Sequence, residues 1–230
     1  TISVVAVSLK KKNVNKQVIA VGVSIMQELA ALIEDPRDAV PLINMAVSVL
    51  KRARLFEHQR AQLVILIERL FKQSVSVMTP EVVGELIDVL SAQLSTMVQR
   101  DARQAVVSVF LLFGDSTPGW PGQQISKLIA DLESWSADSI DERDYDRRLA
   151  GMSWLRANMT ILTPASWTPI LHILLACLQD PEEVALRNQA AGLLERFISQ
   201  TTDNQDLCES VIYATIKRHC AHKTEAVRLE

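Results

Sequence analysis

The stretch PILHILLACLQDPEEVALRNQAAGLLERFI, residues 169–198, contains two amphipathic helices back to back. Leu171, Leu174, Leu175 and Leu178 recur at the three- and four-residue spacing that lines one face of a helix. Asp180–Pro181 interrupts the run, because a proline disfavours helical backbone at the residue before it. A second apolar series, Leu186, Ala190, Ala191 and Leu194, then starts after an acidic first turn. Asp180 is placed to accept hydrogen bonds from the free backbone N–H groups that open this second helix. Arg187 follows Leu186 and is placed to bridge to an aspartate of its own or a neighbouring hairpin. Ala190–Ala191 is small enough to let a neighbouring helix approach closely.

The cation at the start of that second helix returns along the whole chain. Lys16, Arg60, Arg103, Arg148, Arg187 and Arg228 stand in NKQVIAV, HQRAQLV, DARQAVV, DRRLAGM, LRNQAAG and AVRLE. Their separations are 44, 43, 45, 39 and 41 residues, within the ~40–47 typical of arrays built from helical hairpins. A unit of this size cannot bury its apolar face alone and must stack on its neighbours. The 169–198 hairpin resembles the HEAT repeat, with paired leucines, an Asp–Pro turn, an apolar–Arg pair and two small residues. One residue more than that pattern has lies between Asp180 and Leu186–Arg187, which predicts a slightly bulged turn.

The expected fold is therefore all-α, an α-solenoid of about five to six HEAT- or armadillo-type hairpins. Helices are predicted over about 14–34, 38–53, 57–73, 80–99, 101–113, 123–136, 148–161, 167–179, 182–199 and 205–220, with no alternation that suggests strands. Thr79 and Pro80 are read as N-cap and first helical residue. The segment GDSTPGWPGQ, 114–123, holds three of the seven glycines and two of the eight prolines, so it is read as an exposed loop or a break. The organisation is then residues 1–113 as repeats, 114–123 as loop, and 124–230 as repeats continuing the same solenoid. Thr1 in place of an initiator methionine, and an end at Glu230 early in a helix, suggest a piece of a longer array.

Composition narrows the function classes. Apolar residues make up 48% of the chain, which excludes wholesale disorder. A net charge of −3 supplies no global basic field for nucleic acid. Cys177, Cys208 and Cys220 are sparse and without a CxxC pair, as expected of reduced, packed thiols. No apolar run reaches the ~18 residues that span a bilayer, and no leader pattern precedes the first apolar run.

The chemistry-bearing clusters read as structural. Cys208, His219, Cys220 and His222 lack metal-ligand spacing, and the carboxylates of DERDYD, 141–146, suit a helix start. No nucleophile elbow, phosphate-cradling glycine loop or HExxH motif is present, so the chain reads as non-enzymatic. No cofactor, metal, membrane or small-molecule substrate is expected. Of the four tryptophans, Trp135, Trp154 and Trp167 are expected in the inter-helix core, and Trp120 is expected to anchor its loop or a partner. Lys10, Lys11, Lys12, Lys16, Arg52, Arg54, Lys217 and Arg218 cluster at helix ends and are the candidate contacts for a partner or for phosphate. Arg60, Arg103, Arg148, Asp180, Arg187 and Arg228 are expected to hold the repeats together.

A narrower resemblance covers about residues 141–230. DYDRRL (144–149), an ASW helix start (165–167), the HEAT hairpin and then ESVIYATIKRHCAHKTEAVRLE (209–230) follow in that order. This is similar in order and spacing to the very large HEAT-repeat scaffolds of the small-subunit processome, the down-regulated-in-metastasis family. There an acidic-aromatic D-x-D-x-R-L element opens a repeat; Asp144, Asp146, Arg148 and Leu149 match it. The resemblance implies a nucleolar or nuclear ribosome-assembly scaffold without catalytic residues, associated with protein subunits of a ribonucleoprotein and, as a further contact, with the pre-rRNA backbone. The competing expectation is a karyopherin-like or coat-adaptor HEAT protein that binds cargo peptides, which would place it in the cytoplasm.

Overall fold

The computed structural model of the chain describes residues 16–52, 55–114, 117–139, 142–180, 182–199 and 205–220. Its helices are α1 (Lys16–Ala31), α2 (Pro36–Arg52), α3 (Glu57–Ser74), α4 (Pro80–Leu94), α5 (Arg100–Leu112), α6 (Gln123–Leu132), α7 (Tyr145–Asn158), α8 (Pro164–Cys177) and α9 (Val184–Ser199). A final helix, α10, runs through Gln205–Leu207, a π-helical Cys208–Tyr213 and Ala214–Cys220. Among the described residues the only extended pairing is a single antiparallel bridge between Trp135 and Arg143.

The helices stack in two rows. In one, α1, α3, α5, α6, α7 and α9 follow one another; in the other, α2 packs on α4, α4 on α8, and α8 on α10. Hairpin partners close the space between rows, α2 on α3, α4 on α5 and α8 on α9. One continuous apolar core runs the length of the array, from Ile19 to Ile212. This is the all-α solenoid that the repeat period requires.

The stacking is irregular at one point. The second row passes directly from α4 to α8, whereas the first reaches from α5 to α9 through α6 and α7. The first row thus holds two helices more than the second over the same stretch. Where a second-row helix is missing, the 133–144 connection doubles back on itself. Ser136 N donates to the Glu142 carbonyl at 2.9 Å and Asp144 N to the Ser134 carbonyl at 3.2 Å.

Several helix ends differ from the sequence expectation. Helix α4 stops at Leu94, short of the predicted Gln99, because the Ser95 and Thr96 hydroxyls both donate to the Ala92 carbonyl and compete with the helical ladder. Helix α6 stops at Leu132 rather than about 136, where the Ser134 hydroxyl takes the Asp131 carbonyl. Helix α7 begins at Tyr145, earlier than expected, with the Asp144 carboxylate accepting from Arg147 N at 3.0 Å.

Of the tryptophans, Trp135 departs from expectation. Trp120 is core: a positive φ of 76° at Gly119 lets the chain turn back. Its indole then packs on Phe110 and Phe113 and donates to the Ser126 hydroxyl at 2.9 Å. Trp167 is buried against Phe197, and Trp154 is half-buried on the core. Trp135, expected in the core, instead lies under two arginines at the wall of a cleft.

Candidate functional site, an arginine-lined cleft

The C-terminal ends of α4, α6 and α8 converge where the second row skips a helix. Each leaves backbone carbonyls without helical partners, and aligned peptide dipoles make each end negative. The periodic arginines answer these ends. Arg103 is 3% exposed; its Nη1 donates to the Leu94 and Met97 carbonyls at 2.6 and 2.7 Å. Its Nε and Nη2 fork onto both carboxylate oxygens of Glu133, at 2.8 and 2.6 Å. Glu133, at the end of α6, is fully buried. Burial alone would push its carboxyl up, but the Arg103 guanidinium outweighs that and holds it below the usual carboxylate range.

Arg148 repeats the arrangement one unit on. It is 2% exposed, its Nε donates to the Leu132 carbonyl at 2.7 Å and its Nη2 lies 3.2 Å from Cys177 Sγ. Its Nη1 is 3.7 Å from the Asp180 carboxylate. Asp180 in turn accepts from Glu182 N and Glu183 N at 3.1 and 3.0 Å and so starts α9. Arg187 donates to the Asp180 backbone carbonyl rather than to a carboxylate. Arg60 reaches Thr96, at the end of the next hairpin's α4, through hydroxyl and carbonyl at 2.8 and 3.4 Å. Glu57 adds a second tie across 42 residues, accepting from Gln99 N at 2.8 Å.

Of these residues Thr96, Arg103, Arg148 and Asp180 wall a cleft of about 670 Å³. Trp135 forms part of it, with the Arg143 guanidinium 4.6 Å and the Arg100 guanidinium 5.3 Å from its ring centre. Burial, and then repulsion from Arg148 and Arg103, lowers the Arg143 pKa. Trp135 Nε1, Arg143 Nη1 and Arg148 Nη1 are withdrawn from water with no hydrogen-bond acceptor among the described residues. Cys177 lies behind the wall, and burial pushes its thiol up to about 11. It therefore remains a neutral, inert thiol near neutral pH.

Of the basic residues expected to meet a partner, only Lys217 has a described side chain. Lys10, Lys11, Lys12, Arg54 and Arg228 fall outside the described residues, as do the side chains of Lys16, Arg52 and Arg218. Lys217 is exposed on α10. The structure thus brings Arg103, Arg148 and Asp180 to one place, with Arg60 and Arg187 tying the adjacent turns. Sequence reasoning overlooks Arg100 and Glu133, and it misses the place of Trp135 and Arg143 at the cleft wall. Their available signal is weak: a tryptophan between two serines, and an acid four residues beyond Ile129 on a helix that is otherwise apolar on that side.

Among the described residues no group of three or more His, Cys, Asp or Glu is placed to hold a metal ion. No described helix is long and apolar enough to cross a membrane.

Comparison with known proteins bears on the whole chain. The family described as U3 small nucleolar RNA-associated protein 20, N-terminal, matches residues 2–224. U3 small nucleolar RNA-associated protein 20 of Saccharomyces cerevisiae is 26% identical over 180 residues, 77% of this chain and 7% of that protein. Its namesake in Schizosaccharomyces pombe is 23% identical over 204 residues, 84% of this chain and 8% of that protein. The chain thus spans less than a tenth of the length of these relatives. With the family match running from one end of the described solenoid to the other, the chain belongs to the U3 small nucleolar RNA-associated protein 20 N-terminal family.

Proposed function

We propose that this chain is a non-catalytic α-solenoid segment that organises protein subunits of the small-subunit processome during pre-rRNA processing in the nucleolus. The observation that carries this reading is the family match over 2–224, to proteins named for association with U3 small nucleolar RNA. The fold supports it, because the charged residues at its most built-up site are committed to joining helix ends instead of to acid–base chemistry. Residues 1–113 and 124–230 are read as two runs of one solenoid joined through 114–123. The shared apolar core and the inward-facing Trp120 favour that reading. Contact with pre-rRNA phosphate is assigned to the basic helix ends, Lys10, Lys11, Lys12, Lys16, Arg52, Arg54, Lys217 and Arg218. The net charge of −3 favours proteins over RNA as the main partners of this segment.

The test is sedimentation of the tagged intact protein from nuclear extract. The reading predicts that it travels with small-subunit precursor particles and stays with them at moderate salt. Migration only as a free species contradicts it.

A further inference from the structure

We infer that the cleft between the ends of α4 and α8 receives an acidic side chain, Asp or Glu, from a partner polypeptide, with an apolar neighbour of that side chain resting on Val98. The inference deepens the scaffold reading and rests on it only for the identity of the assembly; the chemistry of the cleft stands by itself.

Arg103 and Arg148 are largely consumed by helix-end carbonyls and by Glu133 and Asp180. Among the described residues Arg143 has no such acceptor for its Nη1. Its guanidinium is stacked over Trp135, half-buried, and its Nη1 is without a hydrogen-bond partner, as is Trp135 Nε1 beside it. Arg148, 98% withdrawn from solvent, contributes a third unmatched donor, Nη1, whose nearest carboxylate stands at 3.7 Å. Unmade hydrogen bonds of buried donors are costly, most of all when the donor is charged, and two guanidinium donors and an indole in the wall of one cleft call for an acceptor from outside. Those atoms lie behind the cleft surface, so the occupant reaches them through a rotamer change of Arg143. Changes of that size are ordinary at interfaces. A stacked guanidinium keeps its N–H edge available, and a carboxylate matches that edge with two parallel hydrogen bonds.

The rim decides between a carboxylate and a nucleic-acid backbone. Glu142 and Glu182 line the mouth and are exposed. A polyanionic strand crossing the mouth would run its successive phosphates over these two carboxylates. A single acidic side chain enters between them and leaves its neutral neighbours at the rim. Val98, also a lining residue, is 74% exposed and supplies an apolar foothold there.

Fluorescence anisotropy on the purified chain tests this with three labelled probes: a peptide of mixed Glu, Leu and Ser; its Gln-for-Glu counterpart; and single-stranded oligouridylate. The Glu peptide is expected to bind at least about tenfold more tightly than the Gln peptide, the worth of one hydrogen-bonded charge, and more tightly than the RNA. Arg143→Gln should abolish the preference. Val98→Asp, a change at an exposed position that leaves the fold intact, should weaken the Glu peptide by a similar factor, and Glu182→Gln should tighten it. Arg69→Gln, on the exposed side of α3, should change nothing. Tighter binding of RNA, equal binding of both peptides, no binding, or indifference to Val98→Asp and Glu182→Gln would each overturn the inference. None of these outcomes bears on co-sedimentation with precursor particles, so the two readings fail separately.

Discussion

Replacing Arg103 with Met is the sharpest probe of how this array is joined. The side chain makes four hydrogen bonds, two to Glu133 and two to the Leu94 and Met97 carbonyls. Its loss leaves a fully buried carboxylate without its partner, a situation that costs about 3–5 kcal/mol. The two carbonyls lose their donor as well, at ~1–3 kcal/mol each when no water replaces it. These losses share one site and do not add fully, so the expected destabilisation is about 4–6 kcal/mol, against a total of ~5–15 for a folded domain. Adding Glu133→Leu removes the stranded charge and should restore about 2–3 kcal/mol. Urea unfolding followed by far-ultraviolet circular dichroism reads both values. If Arg103→Met costs less than about 1 kcal/mol, or if the double variant is no better than the single one, the buried fork does not join α4 to α6 as described.

Other outcomes rest on the same contacts. Leu174, fully buried on α8, should cost about 2–5 kcal/mol on truncation to Ala, whereas Arg187→Ala, which removes one part-buried bond to a carbonyl, should cost about 1 in the same melts. A Cβ at Gly151 would stand 3.2 Å from Leu132 Cδ2, where α7 crosses α6. Gly151→Val should therefore lose about 1–3 kcal/mol by overpacking, visible in a thermal melt. Glu133 has a folded-state pKa below its ordinary value of 4.5. The stability it lends is present above that value and is lost as pH falls through the depressed folded one. Acid unfolding of the wild type should thus set in below about pH 4.5, and the Arg103→Met/Glu133→Leu variant should lose this component of its pH dependence. Cys177, with its thiol pushed up to about 11 and fully buried, should react with a thiol reagent only when the chain unfolds, and more slowly than the part-exposed Cys208.

The repeat is legible in sequence because it is local. Leucines at helical spacing and Asp180 before a helix start are patterns within one hairpin, the cation about every 42 residues repeats that local pattern, and Asp180 does accept from the N–H groups of Glu182 and Glu183. What the cations bind is not local. The acceptors of Arg103 and Arg148 are backbone carbonyls, which no side-chain pattern marks, and a glutamate 30 residues away. The missing second-row helix is equally silent: the carboxylates of 141–146 suit a helix start, and only three-dimensional stacking reveals that α4 meets α8. Trp120 anchors its loop, while Trp135 leaves the core, for a related reason. Gly119 turns the first back onto Phe110 and Phe113, while the bridge to Arg143 holds the second at a cleft wall.

Whether this solenoid serves ribosome assembly is decided by affinity purification of the tagged intact protein from cells, with the bound RNA and proteins identified. Small-subunit rRNA precursor is expected together with processome proteins, retained at moderate salt. Recovery of transport or coat components without pre-rRNA would contradict the scaffold role.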